Sequence, residues 1–370
     1  MKRAVLVLMM LLPFVVVAQE QDPSFVENQP SAAGSAVNRA SAGSREDVVS
    51  VDPSTPEPSP GQDPNAPPQK TKPAQSPKTE EPRPTIPGSM VGYIDNAVVG
   101  SQIRIRFDAG FNNNRPDRAE FFYAECGCDG PPARGPQPGL VLRLNFQQLY
   151  MRAEYAPVKR FSLFAEVPVR WVQPQQFVPQ TIPAPGGFGN QAGISDVQAG
   201  FKFALVASDD RYLTFQMLAE FPSGDSSKGL GTNHYSVQPS LLFFQRVTDR
   251  FSFEAQLGDW HPVEGASPGF PGDVFTYGLG PSYELYRGDR VRFAPVIELV
   301  GWTVLGGLET NGKFFPAPVV SADGTNIVNL KLGARTSIGR HTSFYLGYGQ
   351  ALTHEVWYKH IVRLEYRYTF

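Results

Sequence analysis

The sequence Trp357-Tyr-Lys-His-Ile-Val-Arg-Leu-Glu-Tyr-Arg-Tyr-Thr-Phe370 ends the chain and alternates between two kinds of side chain. Its even-numbered positions are mostly apolar or aromatic, and its odd-numbered positions are mostly charged. Because successive side chains of a β-strand point to opposite faces, this pattern predicts a strand with one apolar and one charged face. In a soluble sandwich the charged face would meet water. In an outer-membrane barrel the apolar face meets lipid and the charged face lines the lumen.

The same alternation recurs from Ser101 to the end of the chain and predicts about twelve strands in all. In the first of them, Ile103 and Ile105 alternate with Arg104 and Arg106. An even number of antiparallel strands is the rule in bacterial outer-membrane barrels. After residue 18, no segment has the 18 or more consecutive apolar residues that indicate a membrane-spanning helix.

Two features are expected to disturb this regularity. Leu144 and Phe146 have the opposite parity to Leu149 and Met151, which predicts a bulge near residues 147–148. Prolines inside strands remove a ladder hydrogen bond, so local bulges or unpaired carbonyls are expected at four positions. These are Pro168, Pro239, Pro281 and Pro295.

The connections between the predicted strands alternate between short turns and long loops up to the last connection, which is short. The short turns are 156–160, 208–211, 248–250, 287–290 and 339–341. The long, Gly/Pro-rich segments are 113–139, 173–193, 222–233, 262–272 and 305–325. Outer-membrane barrels have short periplasmic turns and longer outside loops, so this asymmetry favours a barrel over a soluble sandwich.

Aromatic residues also follow the expected distribution at the periplasmic strand ends. An aromatic residue comes just after each short turn, where an interfacial girdle belongs. These residues are Phe161, Tyr212, Phe251, Phe293 and Phe344. All four tryptophans lie near the opposite strand ends, but only Trp171 has lipid-facing parity. The prediction is an all-β fold, a transmembrane antiparallel up-and-down β-barrel of about twelve strands over residues 91–370.

The first eighteen residues have the composition of a secretory signal peptide. Met1-Lys-Arg is charged, residues 4–18 are apolar, and Ala18 offers a small residue at the cleavage position. An uncleaved anchor is the alternative, but the apolar run is too short for a spanning helix. The chain is therefore predicted to be exported and to reach the cell outer membrane.

Residues 19–90 are predicted to be a disordered periplasmic linker. This segment is rich in proline, serine and charged residues and contains few aromatic ones. Such a composition cannot bury enough apolar area to offset the entropy of ordering the chain. The alternative is a binding motif for a periplasmic partner.

Composition limits the remaining classes of partner and cofactor. The formal net charge of −2 gives no basic footprint for nucleic acid. Cys126 and Cys128 are the only cysteines, and in an oxidising compartment they would pair with each other. A ring closed over one residue is strained, so free thiols remain the alternative. Two sulfurs without a nearby histidine are a poor metal site, and neither a metal nor a cofactor is predicted.

Two stretches carry a family resemblance. Gly193-Ile-Ser-Asp-Val-Gln-Ala-Gly-Phe-Lys-Phe203 resembles the Gly-x-x-Asp…Gly-x-Lys strand of the outer-membrane proteins named for the meta-pathway of phenol degradation. Glu220-Phe-Pro-Ser-Gly-Asp225 resembles the Pro-Thr/Ser-Gly-Asp start of a loop in that family. The resemblance implies an outer-membrane channel or transporter. Residues 114–128 and the proline-rich tail depart from the family pattern.

Charged residues of lumen parity form the candidate functional site. The predicted lumen-lining residues are Arg104, Arg106, Asp108, Arg152, Glu154, Glu220, Glu254, Glu284, Arg292, Glu298, Lys331, Arg335, Arg363, Glu365 and Arg367. Most of the bases fall on one wall, which predicts a slight preference for anions. The alternative is a ladder of ion pairs that merely fills a narrow barrel.

The predicted function is a channel or transporter for small polar or amphipathic solutes, including aromatic acids, without catalysis. A plugged barrel that anchors the envelope is the second hypothesis. A barrel-embedded hydrolase is the third, because His234 and Ser236 share a strand face as nucleophilic catalysis requires. The expected partners are outer-membrane lipid, the solute and the barrel-assembly machinery. That machinery is expected to read the C-terminal aromatic row Tyr366, Tyr368 and Phe370.

Overall fold

The computed structural model describes residues 89–115, 141–177, 189–264, 271–310 and 319–370. The chain divides into two units, Met1–Pro77 and Lys78–Phe370, and all described residues belong to the second. The predicted signal peptide, nearly all of the predicted linker, and the Cys126–Cys128 pair lie outside the described residues. Within the described ranges, no helix is long and apolar enough to cross a membrane.

Strands make up almost all of the regular structure in the described residues. They are β1 Gln102–Asn113, β2 Val141–Val158, β3 Phe161–Phe177, β4 Gln191–Ile194, β5 Val197–Ala207, β6 Arg211–Phe221, β7 Tyr235–Arg246, β8 Phe251–Glu264, β9 Val274–Tyr283, β10 Tyr286–Arg287, β11 Val291–Val304, β12 Leu308–Thr310, β13 Val319–Ser321, β14 Asn326–Ile338, β15 Thr342–Ala351 and β16 His360–Thr369. In the described part of the chain, a 3-10 turn spans Ser226–Lys228.

Twelve of these strands form a closed antiparallel barrel, which confirms the predicted fold class and strand number. Hydrogen-bonded neighbours follow one another in chain order, and β16 pairs with β1 to close the ring. The short strand β4 pairs with residues 169–172 of β3, and β5 pairs with residues 161–166 of the same strand. The strand pair β12–β13 forms a separate two-stranded sheet.

The outer surface of the barrel is apolar. Side chains on the outward parity of each strand are large, hydrophobic and exposed, as at Leu163 (53%), Ile297 (51%) and Leu346 (59%). A soluble monomer rarely exposes a continuous apolar surface of more than a few hundred Å². A closed antiparallel barrel with an apolar outside is the architecture of bacterial outer-membrane proteins, in which this surface faces lipid. The soluble sandwich is therefore excluded.

The two ends of the barrel differ in their connections. The turns after β2, β5, β7 and β14 are short, and β1 begins and β16 finishes at that same end, which we call the short-turn end. Aromatic rings cluster there, with centroid separations of 6.0 Å for Phe161–Phe201 and 5.2 Å for Phe344–Tyr366. The opposite, long-loop end carries the connections that lie partly outside the described residues.

The predicted bulge near residues 147–148 is wrong. Strand β2 stays in register with β1 from Glu154 to Phe146. Leu144 and Phe146 therefore point inward, where both are buried. Tyr358, which was predicted on the lipid face, is also buried inside, because β16 begins two residues later. These apolar side chains pack against one another within the barrel rather than against lipid.

The four prolines inside strands do not shift the register of the barrel. On one side, each proline is paired with a residue of the neighbouring strand. On the other side, each lies where the ladder to the second neighbour is interrupted. At Pro168, the carbonyl oxygen accepts a hydrogen bond from the backbone N–H of Ser195 at 2.9 Å. The missing N–H of each proline thus coincides with an interruption of the ladder and not with a shift of register.

Removal of Phe370 is expected to reduce insertion of the barrel into the outer membrane. Phe370 donates its backbone N–H to the Ser101 carbonyl at 3.1 Å, and its exposed ring stacks on Tyr368 at 6.4 Å. The truncation shortens the apolar row beside the closing seam. The measurement is the yield of folded protein in outer-membrane fractions, with Phe221→Ala, an exposed aromatic of the long-loop end, as control. Normal yield of the truncated chain would contradict the expectation.

Candidate functional site in the barrel lumen

All of the predicted lumen-lining charges lie on the inward face of the barrel. Arg106, Glu220 and Arg292 are half-buried, and the other twelve are buried. Burial of so many charges requires partners, because an isolated ion removed from water is costly. That these residues line a conducting pore remains a prediction.

The buried charges form ion pairs across the strands. The Asp108 carboxylate of β1 accepts two hydrogen bonds from Arg363, its direct cross-strand neighbour on β16. The donors are Nε at 2.7 Å and Nη2 at 2.6 Å. Such bidentate pairs combine two charge-assisted hydrogen bonds in a planar fork. Arg335 pairs with Glu365 at 2.8 Å on another part of the wall.

Two partners in these networks were not among the predicted site residues. Glu166 accepts a hydrogen bond from Arg104 at 2.9 Å, and Lys202 pairs with Glu154 at 3.2 Å. Both have lumen parity in their strands, which was the available signal. Parity alone does not show which charges meet across a closed ring.

Among the described residues, the inward charges comprise ten bases and ten acids, with Asp95 supplied by the segment that precedes β1. The bases are Arg104, Arg106, Arg152, Arg170, Lys202, Arg292, Lys331, Arg335, Arg363 and Arg367. The acids are Asp95, Asp108, Glu154, Glu166, Asp196, Glu220, Glu254, Glu284, Glu298 and Glu365. The prediction of a slight anion preference rests on the placement of the bases on one wall, and it stays a prediction.

Residues 89–100, which we call the lumenal segment, run inside the barrel before β1 begins. The first part of the segment is held near the short-turn end. Met90 donates its backbone N–H to Glu254 Oε1 at 3.0 Å. Arg335 donates to the carbonyl oxygens of Met90 (3.0 Å) and Val91 (2.7 Å). Inward charges therefore bind main-chain atoms of this segment as well as one another.

The middle of the lumenal segment is bound by a single carboxylate. Glu298 accepts backbone N–H groups from Gly92 (3.2 Å), Tyr93 (2.8 Å) and Ile94 (2.9 Å). The Tyr345 hydroxyl donates to the same carboxylate at 2.9 Å. Successive N–H groups that converge on one anion form a compact binding nest, here with the anion supplied by the barrel wall.

The Tyr93 ring lies between two cations of the wall. Lys331 Nζ is 4.4 Å and the Arg363 guanidinium carbon is 4.1 Å from its centroid. Lys331 also donates to the Tyr358 hydroxyl at 2.6 Å. Cation–π contacts gain strength where the cation is shielded from water. This layer lies about midway along the barrel, because Lys331 is seven residues and Arg363 six residues from the short-turn ends of their strands.

The segment then returns towards the short-turn end. Lys202 donates to the Asn96 carbonyl at 2.9 Å and Thr214 to the Ala97 carbonyl at 2.6 Å. The Asp95 carboxylate accepts a hydrogen bond from the Gln216 amide at 2.9 Å. The lumenal segment enters and leaves the barrel at the same end.

Glycines of the barrel wall and of the lumenal segment allow the two backbones to approach closely. A Cβ added to Gly280 of β9 would lie 2.5 Å from Val91 and 3.0 Å from Ile94. A Cβ added to Gly92 would lie 2.3 Å from the Tyr345 ring. Contacts that short are repulsive, so close approach of backbone and wall depends on the missing side chains.

A cavity of about 200 Å³ occupies the half of the lumen towards the long-loop end. It is lined by Gln148, Tyr150, Pro168, Arg170, Ser195, Asp196, Gln198, Glu220, Gln238, Trp260, Val274, Thr276, Trp302 and Trp357. Of these residues, only Glu220 was among the predicted lumen-lining charges. The cavity combines aromatic rings, amides and few charges, a composition typical of small-molecule sites.

Three of the four tryptophans line this cavity instead of forming an outer girdle. Trp302 and Trp357 lie 4.8 Å apart between centroids, and Trp260 packs edge-on against His234 at 5.3 Å. Only Trp171 keeps the lipid-facing parity that the sequence indicated. The sequence signal for the three inward tryptophans was their failure to match the outward parity.

His234 and Ser236, the residues of the hydrolase hypothesis, are both buried inside the barrel. His234 Nδ1 lies 3.2 Å from the backbone carbonyl oxygen of its neighbour Tyr235. Both side chains face the lumen and not lipid, as their parity predicts. The hydrolase hypothesis stays a prediction.

The described residues contain one group of side chains with the spacing of a metal site. Donor atoms of Asp259, His261 and Asp273 lie within 4.8 Å of one another near the long-loop end. His261 Nδ1 is 2.6 Å from Asp273 Oδ1, an ordinary histidine–carboxylate hydrogen bond at a surface. Exposed acidic groups are common without an ion, so we assign no metal here.

No protein-family model and no characterised sequence matches this chain. Among solved structures, an outer-membrane channel from Pseudomonas putida F1 is similar, with 12% identity over 74% of this chain and 96% of that chain, at a TM-score of 0.47. The NanC porin (9% identity, 73% and 100%, TM-score 0.41) and LpxR from Salmonella typhimurium (9%, 73% and 100%, 0.41) are also similar. These likenesses concern the barrel fold alone, and the likeness to the phenol-degradation proteins stays a resemblance.

Proposed function

We propose that this protein is an outer-membrane channel for small polar or amphipathic solutes, closed in this state by its own lumenal segment. The observation that carries the proposal is the position of residues 89–100. The segment fills the short-turn half of the lumen, while a cavity remains in the other half. A solute that reached the cavity from outside would meet the segment as the barrier to further passage.

The attachment of the segment is of a kind that can be reversed. It rests partly on hydrogen bonds between wall side chains and main-chain atoms of the segment, as at Glu298, Arg335 and Lys202. Met90, Val91 and Ile94 add apolar packing against the inner wall. Water can replace such bonds, so each contributes only about 1.5–3 kcal/mol even with a charged partner. The barrel wall, in contrast, is a continuous ladder of backbone hydrogen bonds. The segment can therefore leave while the barrel stays intact.

The proposed mechanism is diffusion through a charged lumen, with no catalytic step. The paired charges would present both signs to a solute once the segment has left, which suits polar molecules of low net charge.

A second candidate function is envelope anchoring by a permanently closed barrel. The filled lumen favours it, and the proline-rich residues before the barrel would then bind a periplasmic partner. The two functions differ in one respect that can be measured, which is whether removal of the segment opens a path.

Deletion of residues 89–98 is the experiment that separates them. We expect proteoliposomes with this variant to swell several-fold faster in glycine than those with the intact chain. The control deletes residues 54–63, a stretch of the same length that leaves the lumenal segment in place, and should behave as the intact chain. Equal, slow swelling of a correctly folded 89–98 deletion would overturn the channel proposal in favour of anchoring.

A further inference from the structure

We propose that the cavity at the long-loop end binds a neutral, ring-shaped, polyhydroxylated solute of monosaccharide size. The inference deepens the proposed function, because it names the class of solute that the channel would admit. The size of the cavity, its aromatic surface, its hydrogen-bonding groups and its charges each restrict the ligand.

The size of the cavity restricts the ligand to a small molecule. Its volume of about 200 Å³ is below the roughly 300–1,000 Å³ of sites that enclose drug-sized ligands. A single six-membered ring with its substituents is of the right order, whereas an oligomer would extend beyond the cavity.

The aromatic surface indicates a ligand with a flat apolar face. Trp260, Trp302 and Trp357 line one space, and the last two are tilted by 49° to each other. Indole rings bury a large apolar area and keep one polar N–H. The C–H face of a sugar ring can pack on such a surface while its hydroxyl groups point away to polar partners.

The polar lining is made mainly of groups that both donate and accept. Gln198 and Gln238 supply amides, and Thr276 supplies a hydroxyl. An amide offers two donor hydrogens and one acceptor oxygen, and a hydroxyl offers both roles. A ligand hydroxyl has the same double character, so it can pair with any of these groups. Gln198 donates to Glu220 at 2.7 Å and Gln238 to Thr276 at 3.4 Å, and each amide retains further donor and acceptor capacity that a hydroxylated ligand could use and a hydrocarbon could not.

The charges disfavour an anionic ligand. Two carboxylates, Asp196 and Glu220, line the cavity together with one guanidinium, Arg170. Asp196 accepts hydrogen bonds from the backbone N–H groups of Gly224 (2.9 Å) and Thr232 (2.6 Å), so its carboxylate stabilises the loop that follows β6. Arg170 and Glu220 then offset each other. A benzoate-like acid would be repelled by the carboxylates, and an amine by the guanidinium.

The test is a titration of the detergent-folded full chain with d-glucose and d-galactose, followed by tryptophan fluorescence. Benzoate and benzylamine serve as charged comparators of similar size. We expect a saturable change with at least one hexose and with neither comparator. Gln238→Leu, which keeps every tryptophan, should weaken hexose binding by about tenfold, the usual loss when a buried polar partner is removed.

Trp302→Leu and Trp171→Leu form a matched pair for the aromatic surface. The first removes a ring of the cavity and should abolish the hexose response, while the second removes the lipid-facing indole and should preserve it. No saturable response to either hexose, or saturation by benzoate or benzylamine instead, would overturn the proposal. Binding in detergent does not depend on conduction, so this outcome is independent of the swelling experiment.

Discussion

Replacement of Glu298 by Ala is expected to release the lumenal segment and to accelerate hydrogen exchange at the amides of residues 92–94 by about 100-fold. Glu298 is fully buried and accepts three backbone N–H groups of the segment. Hydrogen bonds to a charged partner contribute about 1.5–3 kcal/mol each, and water entering the space recovers part of this. A net loss of about 3 kcal/mol corresponds to a factor of about 100.

The control for this prediction is Glu284→Ala. Glu284 is also a buried carboxylate of the wall, but its hydrogen-bonded partner is Arg287 at 2.6 Å, near the short-turn end. This variant should leave exchange at residues 92–94 unchanged. If Glu298→Ala also leaves it unchanged, the carboxylate does not hold the segment and the proposed closure loses its main contact.

Replacement of Arg363 by Met is expected to lower the free energy of unfolding of the barrel by about 3 kcal/mol, because the buried Asp108 loses its bidentate partner and keeps the weaker pair with Arg106 at 3.7 Å. Arg363 and Asp108 join the last strand to the first, so the damage falls on the seam that closes the ring. Arg363 also donates to the Gly92 carbonyl at 2.5 Å. The measurement is urea unfolding in lipid vesicles, monitored by tryptophan fluorescence.

A double variant and an exposed pair make this prediction specific. Asp108→Asn combined with Arg363→Met removes both charges and should recover most of the lost stability, because no unpaired ion remains. Lys228→Met breaks the solvent-exposed pair with Asp225 and should change stability by less than about 1 kcal/mol. A loss for Arg363→Met as small as that for Lys228→Met would show that the seam does not depend on this ion pair.

Alternation of side chains was enough to predict the wall of this barrel. In β1, Ile103 and Ile105 face outward and Arg104 faces inward, as the order of the residues requires once the chain is extended. A strand has only two faces, so a single period assigns every side chain to lipid or lumen. The same rule led to an error at Leu144 and Phe146, because it assumes that apolar side chains always face lipid.

The contents of the lumen depend on contacts that no local pattern contains. Residues 89–100 have no strand period, and their path is set by Glu298, Arg335 and Lys202, which lie more than a hundred residues further along the chain. The cavity likewise requires Trp260, Trp302 and Trp357 to meet after the ring has closed. Inward parity is a property of each strand by itself. Which inward groups meet, and whether they enclose water or the protein's own chain, follows only from closure and register of the twelve strands.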